Sequence, residues 1–568
     1  VSEIPFYFGP SAQPIFGWLH IPDGRITGGV VLCPAIGMEE LSAHPAYRHL
    51  SQQLSSQGIV ALRFDYPGTG DSAGDLESSG ILDRWRQSID AAIDVLHNGG
   101  VDRVGVIGLR LGAVLASEIP DRSSIDALVM WDPIASGRAY LRGQRALRDL
   151  SIPVPPVEDE GGSVELIGVV VSRQLAEDVA RLRLEKAQLA DTPTLVLLRE
   201  ESLLPDAVLD SIVRGSAVEL RSIKGQPEFL DVLPDEAVMP MTSLDDIIEW
   251  FLAKLAGEST DFQLASRHEQ AVLELGSGET IMERPVIFGE SRLFGLLSEP
   301  IEAQRGVPSV VFLNAGLLHH VGPARLWVTL ARRLAAQGVR VFRFDIGGIG
   351  DSPPHVGARA RVSYPSKAVA DIAEAMQAIE SGPNDVVLAG LCAGAYHSIE
   401  AGIAFSIRGA CAINPILTFS PSEIAIDGTD QVGRQAVQPY GTLIRRLRQN
   451  KRLRDIGERF IPPLVWEVLD RLGLQPAPGR SLVRLNEMGV KLLLVCGELE
   501  ALQFVHRSPR QMKILQGRDG FSFAPLPGID HALLAERTRA KAVPIIERYL
   551  LDITIGNKEG DRADAAVG

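Results

Sequence analysis

The chain reads as an α/β protein made of two tandem domains, each a mostly parallel sheet flanked by helices. Three observations predict this. Short, continuously apolar runs alternate with amphipathic stretches, the pattern of a parallel sheet covered on both faces. Motifs of the first half recur in the second at an offset of about 280 residues, as Gly58 against Gly338, which is the size of a domain and not of a solenoid repeat. A glycine-framed turn between a strand and a helix occurs in each half.

In the first half, the apolar runs at 30–33, 60–64, 104–107, 127–131 and 194–198 read as buried strands, and the segments 47–57 and 81–96 as helices. The second half gives strands at 310–314, 341–344, 386–389, 409–413 and 491–496. The echo between halves is specific. Ile4-Pro5-Phe6-Tyr7-Phe8-Gly9 returns as Arg284-Pro285-Val286-Ile287-Phe288-Gly289, and Phe16-Gly17-Trp18-Leu19 as Phe294-Gly295-Leu296-Leu297. Arg63-Phe64-Asp65 returns as Arg343-Phe344-Asp345, and Gly70-Asp71-Ser72 as Gly350-Asp351-Ser352. These echoes place one domain at 1–258, a polar linker at 259–280, a second domain at 281–555 and a frayed polar tail at 556–568.

The net charge of -15 and pI near 5.3 argue against a general nucleic-acid binder, which needs a basic face. No run approaches the roughly 18 apolar residues of a membrane span. Residues 1–10 lack the basic start and apolar core of a signal peptide, so a reducing cytoplasm is the expected compartment. The four cysteines, Cys33, Cys392, Cys411 and Cys496, form no close pair and suggest neither a zinc knuckle nor a disulfide framework. Three of them lie in or beside strand-like runs and read as small buried hydrophobes. The turn Gly347-Gly348-Ile349-Gly350 lacks the phosphate-binding fingerprint, and neither cofactor nor metal is expected.

The two glycine-framed turns differ at their centre. One reads Gly108-Leu109-Arg110-Leu111-Gly112, the other Gly390-Leu391-Cys392-Ala393-Gly394. A cysteine at the centre can attack a carbonyl, whereas the guanidinium of an arginine stays protonated and has no usable lone pair. One live site and one retired site are therefore expected.

With these turns, the Phe-Asp-x-x-Gly-x-Gly-Asp-Ser motifs and Pro527-Gly528-Ile529-Asp530-His531 near the end, the chain resembles the α/β-hydrolase fold, as a tandem pair over nearly its whole length. The resemblance implies Cys392 as nucleophile at a helix N-terminus and His531 as general base and acid. It implies Glu500 as the orienting carboxylate, three residues after Gly497, with Glu498 the alternative. It implies an oxyanion hole from the backbone N–H of Ala393 and of Leu317. His319 and His320 could line this site instead, and His397, just over one turn past Cys392, could be within reach.

The same slots in the first half are empty. Arg110 replaces the nucleophile, and the turn Lys224-Gly225-Gln226-Pro227-Glu228 holds no histidine. The matching slots suggest that Arg110 pairs with Glu228 or binds an anion. Each half also carries an insert, at about 134–191 and 415–489, which in this fold acts as a helical cap. The second includes a basic run, Arg445, Arg446, Arg448, Lys451, Arg452, Arg454 and Arg459. It reads either as a solvated helix face or as a dock for an acidic carrier protein or a phosphate-bearing thioester.

The expected activity is acyl transfer through an acyl-Cys392 intermediate, ending in hydrolysis of an ester or thioester or in transfer to an amine or alcohol. The resemblance includes bacterial hydrolase-like proteins associated with polysaccharide and natural-product assembly, some of them tandem. Two other readings stay open: a dienelactone-hydrolase-like lactone opener, and a non-catalytic binding or scaffold protein.

Overall fold

The computed structural model describes residues 1–568 except 158–160, 185–191, 201–207, 209, 211–216, 258–260, 265–267, 303–305, 418–461, 463–464, 466–467, 469–477 and 557–568, and describes residue 122 by its backbone only. Two sheets form the body. The first has the order Ser2–Phe8, Ile15–Ile21, Ile59–Phe64, Gly28–Cys33, Val104–Leu109, Ala127–Trp131, Thr194–Arg199, Val218–Ile223. The second runs Ala271–Glu274, Thr280–Phe288, Leu293–Pro300, Val341–Phe344, Ser309–Phe312, Val386–Leu391, Gly409–Ile413, Lys491–Cys496, Phe521–Pro525. Apart from the leading strand Ala271–Glu274, the second order repeats the first strand for strand. In both, an antiparallel pair leads into parallel strands.

The central strands Gly28–Cys33, Val104–Leu109 and Ala127–Trp131 are buried at every residue, as their unbroken apolar runs require. Helices Met38–Ser56 and Ile81–Asn98 cover the first sheet. Leu326–Ala336 and Ala368–Ala378 stand in corresponding places in the second. Even a polar detail repeats: Tyr47 Oη donates to Cys33 O at 2.8 Å, and Trp327 Nε1, at the matching position, to Leu313 O at 3.1 Å.

Two expectations are corrected. The segment 259–280 is not a bare connector. Ala271–Glu274 alternates buried and exposed residues and pairs antiparallel with Thr280–Phe288, while His268 bridges Tyr7 of the first sheet. The first insert is not purely helical: between Gly137–Ser151 and Arg173–Arg181 it folds a hairpin, Val164–Leu166 with Val169–Val171. The β-branched residues Val164, Val169, Val170 and Val171 favour the extended chain here. The antiparallel strands Ser2–Phe8 and Ile15–Ile21 were legible as a repeat without being assigned as strands. Of the second insert, helix Gly479–Glu487 is described. The basic run at 445–459 and the tail from 557 lie outside the described residues. Among the described residues, no helix is long and apolar enough to cross a membrane.

The copies exchange charges. Arg63 of the first bonds Asp351 of the second, and Arg343 Nη1 of the second bonds Asp71 of the first at 2.6 Å. Since Arg63 matches Arg343 and Asp71 matches Asp351 in the repeat, each copy gives its partner what it receives. His320 sits between them, with Nδ1 2.8 Å from Asp345 and Nε2 2.6 Å from Asp71. Burial works to lower the pKa of this ring, but the two carboxylates prevail and raise it to about 10. His320 is therefore an imidazolium clamped between carboxylates of both copies. Trp18 packs edge-on against Phe294 at 4.6 Å beside it. Arg48 donates to the carbonyls of Gly350 and Ser352, and Arg325 to those of Gly70 and Ser72.

Removing one member of a buried pair leaves the other charge without compensation. Asp71→Asn should therefore lower unfolding free energy by about 3–5 kcal/mol in denaturant titrations, because Arg343 and His320 both lose a carboxylate. An unchanged midpoint would remove this network from the forces that join the copies.

Candidate active site

Strand Val386–Leu391 runs directly into helix Ala393–Phe405, leaving a single residue, Cys392, to turn the chain. Its backbone is held at φ 55, ψ -110. A side chain with a Cβ seldom adopts this region, and such strain is a recurrent property of reactive turns. The flanking glycines permit it. A Cβ on Gly390 would collide with the backbone of Gly394, and one on Gly394 with the carbonyl of Asn314. The strained turn lifts Cys392 partly into the open, whereas Cys33, Cys411 and Cys496 are buried. Burial pushes the thiols of those three well above their ordinary pKa, so they are poor nucleophiles.

His531 faces this thiol. Its Nδ1 lies 2.8 Å from Glu500 Oε1, in the first turn of helix Glu498–Arg507. Burial works against the charged ring, but hydrogen bonds to the Cys392 sulfur and to Glu500 outweigh it and raise its pKa to about 10. Glu498 is exposed on the same helix, so of the two acids it is Glu500 that meets the imidazole. Asp530, beside the histidine, is used otherwise: its carboxylate accepts the N–H groups of Leu534 and Ala535 and shapes the turn.

Two further residues complete the arrangement and carry no motif. Asn414 ends strand Gly409–Ile413 at φ 45. It donates to His531 O at 2.8 Å and accepts from Gly497 N at 2.7 Å, tying the histidine turn to the acid loop. Tyr364 is buried at 7% exposure, and its hydroxyl has no nitrogen or oxygen partner. Burial first, and then the adjacent Cys392 sulfur, raise its pKa. The hydroxyl thus faces the thiol as a neutral donor.

The three other candidate histidines have different surroundings. His319 stacks on His44 at 4.3 Å, and His320 is held in the junction between the copies. Their expected place along the site gives way to a junction role, because carboxylates of both copies converge there. His397 is buried, bonds Ser363 O at 3.1 Å, and is lowered by that burial to a pKa of about 4. Its ring lies 5.7 Å from that of Tyr364. The backbone N–H of Leu317 is present on its loop, where it donates to Asp235 Oδ1 at 3.0 Å. Ala393 opens the helix after Cys392.

The first half keeps the turn, with an arginine at its centre. Arg110 has nearly the same backbone, φ 54, ψ -113. Its guanidinium does not meet Glu228. It bonds Glu39 at 2.8 Å and pairs with Asp132, which also holds Arg199 at 2.6 Å. Glu39 is fully buried and further bonded by Tyr140 and Gln144. The charge at the centre of this turn is thus held by carboxylates of its own half.

His320, Asp345 and Asp351 offer ligand atoms within 4.8 Å of one another, but Arg63 and the His320 imidazolium already balance these carboxylates. The cavity beside them holds about 40 Å³, room for little more than water. A wider cleft of about 560 Å³ is bordered by Gly70, Arg325 and Arg539 and by none of Cys392, His531 and Glu500.

Residues 310–543 match the family profile described as the alpha/beta hydrolase family. No curated protein matches the chain. Among solved structures, Est1E from Butyrivibrio proteoclasticus is similar at 15% identity over 44% of this chain and 99% of its own, with a TM-score of 0.34. A soluble variant of monoglyceride lipase from Saccharomyces cerevisiae, in complex with a substrate analog, is similar at 13% identity over 45% of this chain and 96% of its own, with a TM-score of 0.35. Proline iminopeptidase from Mycobacterium smegmatis matches at 15% identity over 45% of this chain and 99% of its own, with a TM-score of 0.31.

The ring of His531 should stay protonated far above the ordinary histidine range, titrating near pH 10. A folded pKa raised above the unfolded value adds stability that is complete below about pH 6.5 and is lost as pH rises through the folded pKa. Cys392→Ala removes one of the two hydrogen bonds and should move the titration toward neutrality. Imidazole resonances followed by NMR from pH 5 to pH 11 would check this, and a ring titrating near 6.5 in the unaltered protein would contradict it.

Proposed function

We infer, from the alpha/beta hydrolase family domain at residues 310–543, that this protein is an acyl-transfer enzyme of the hydrolase type, with Cys392 as its nucleophile. The observation that carries the inference is the line from Glu500 through His531 to a thiol on a strained turn.

The chemistry follows from those groups. His531 holds the proton given up by Cys392, and Glu500 orients the ring and balances the imidazolium. The sulfur attacks the carbonyl carbon of an ester or thioester, and the carbonyl π-electrons move to oxygen. The N–H groups of Ala393 and Leu317 take up that oxyanion. Collapse breaks the bond to the leaving alcohol or thiol, which receives the proton from His531, and an acyl-thioester remains on Cys392. In the second half, His531 deprotonates water, an alcohol or an amine. This acceptor attacks the thioester, and the thiolate departs. An acyl-thioester keeps the acyl group activated, so transfer to an acceptor competes with hydrolysis better than it does from a serine ester. The Tyr364 hydroxyl, without another polar partner, is a neutral donor for the carbonyl or leaving group, and in this reading it supplements backbone N–H groups that lack side-chain help at Ala315 and Gly316.

Assay against a panel of activated esters and acyl thioesters, with water and with added amines, tests the reading. Cys392→Ala should lose roughly a thousandfold or more in kcat. Glu500→Gln should lose on the order of a hundredfold with little change in KM. Tyr364→Phe should lose about tenfold. Full turnover by Cys392→Ala would overturn the assignment.

A further inference from the structure

The N-terminal copy reaches into the site of the C-terminal copy. Leu233 joins an apolar cluster with Leu534, Ala535 and Ala532, immediately after His531. Arg361 donates to the carbonyls of Pro234 and Ala237 at 3.4 and 3.3 Å. These contacts hold a loop of the first copy across the histidine turn of the second. At the tip of that loop, Asp235 Oδ1 accepts the N–H of Leu317 at 3.0 Å.

That N–H is the donor that the acyl-transfer reading assigns to the oxyanion. Gly316 makes the approach possible: its φ is +60, and a Cβ there would stand 2.8 Å from Asp235 Oδ2. A carboxylate oxygen in an oxyanion pocket satisfies the donor that the reacting carbonyl needs. Asp235 is exposed, and so is its hydrogen bond to the Leu317 N–H. The side chain is thus held by a hydrogen bond that can be exchanged and has open water to retreat into.

Resting on the acyl-transfer reading, we propose that Asp235 is a gate supplied by the degenerate copy: its carboxylate occupies the oxyanion donor of the catalytic copy at rest, and the carbonyl oxygen of an acyl donor must displace it. Small neutral esters, with no remote group to drive that displacement, acylate Cys392 slowly. Donors that engage the loop at 231–240 open the pocket as they bind. The role makes Asp235 a positioning residue, since it acts through Leu317 and forms no bond with the reacting atoms.

The test compares the full chain with Asp235→Ala and Asp235→Asn in two reactions at Cys392. Acylation by p-nitrophenyl acetate passes through an oxyanion, whereas alkylation by iodoacetamide displaces iodide and does not. The gate predicts that Asp235→Ala speeds acylation by roughly tenfold or more, about the strength of one hydrogen bond to a charged group. Asp235→Asn, neutral but still an acceptor, should fall between. Alkylation should change far less than acylation in both variants, because Asp235 bears on the thiol only through the charge of His531. Acylation that is unchanged or slower in Asp235→Ala overturns the gate while leaving the acyl-transfer reading in place. Absence of acyl adducts in all three proteins, with alkylation intact, overturns the acyl-transfer reading and the gate with it.

Discussion

The backbone turn at residue 392 is the constraint from which the chemistry of this protein derives. A parallel strand must end, a helix must begin, and one residue at φ 55 joins them. Only side chains without a Cβ fit on either side, so Gly390 and Gly394 are dictated by geometry. The identity of the central residue is left free by the fold, and that freedom separates the two halves. Cysteine there meets an imidazole; arginine there is neutralised by Glu39 and Asp132. The first copy retains the strained turn at Arg110 with its charges satisfied, and this makes it a stable scaffold.

Retention of that scaffold has a physical basis. Arg63 with Asp351 and Arg343 with Asp71 are reciprocal, and His320 is bonded by both copies. Such an arrangement leaves no member that can be dropped without stranding a buried charge. The same junction holds a loop of the first copy over the histidine turn of the second, through Leu233 and the carbonyls that Arg361 bonds. Through that loop a half with arginine at the turn still reaches the other half, where Asp235 accepts the N–H of Leu317.

Much of the architecture was legible in the residues, because buried parallel strands are apolar throughout and need no context to recognise. Residues 127–131, 341–344, 409–413 and 491–496 are strands with the bounds that their runs suggested. The turn motifs located Cys392, and the fold resemblance pointed to His531 and Glu500. What escaped notice depends on contacts distant in sequence. Asn414 and Tyr364 sit in no motif, and their roles arise from what the fold sets beside them. Asp235 reaches its partner across 82 positions, and the pairing of His320 with Asp71 spans 249. No periodicity records such pairs. Ala271–Glu274 was too short for its alternation to stand out from a polar connector.

The central claim is that acyl groups pass through the sulfur of Cys392. The most direct measurement is to mix the full chain with excess activated acyl thioester, quench in acid within the first turnover, and map the added mass onto proteolytic peptides. The account predicts a single acyl group on the peptide that carries Cys392, released by neutral hydroxylamine as a thioester should be. An acyl group on another residue, or turnover with Cys392 unmodified at every quench time, would contradict it.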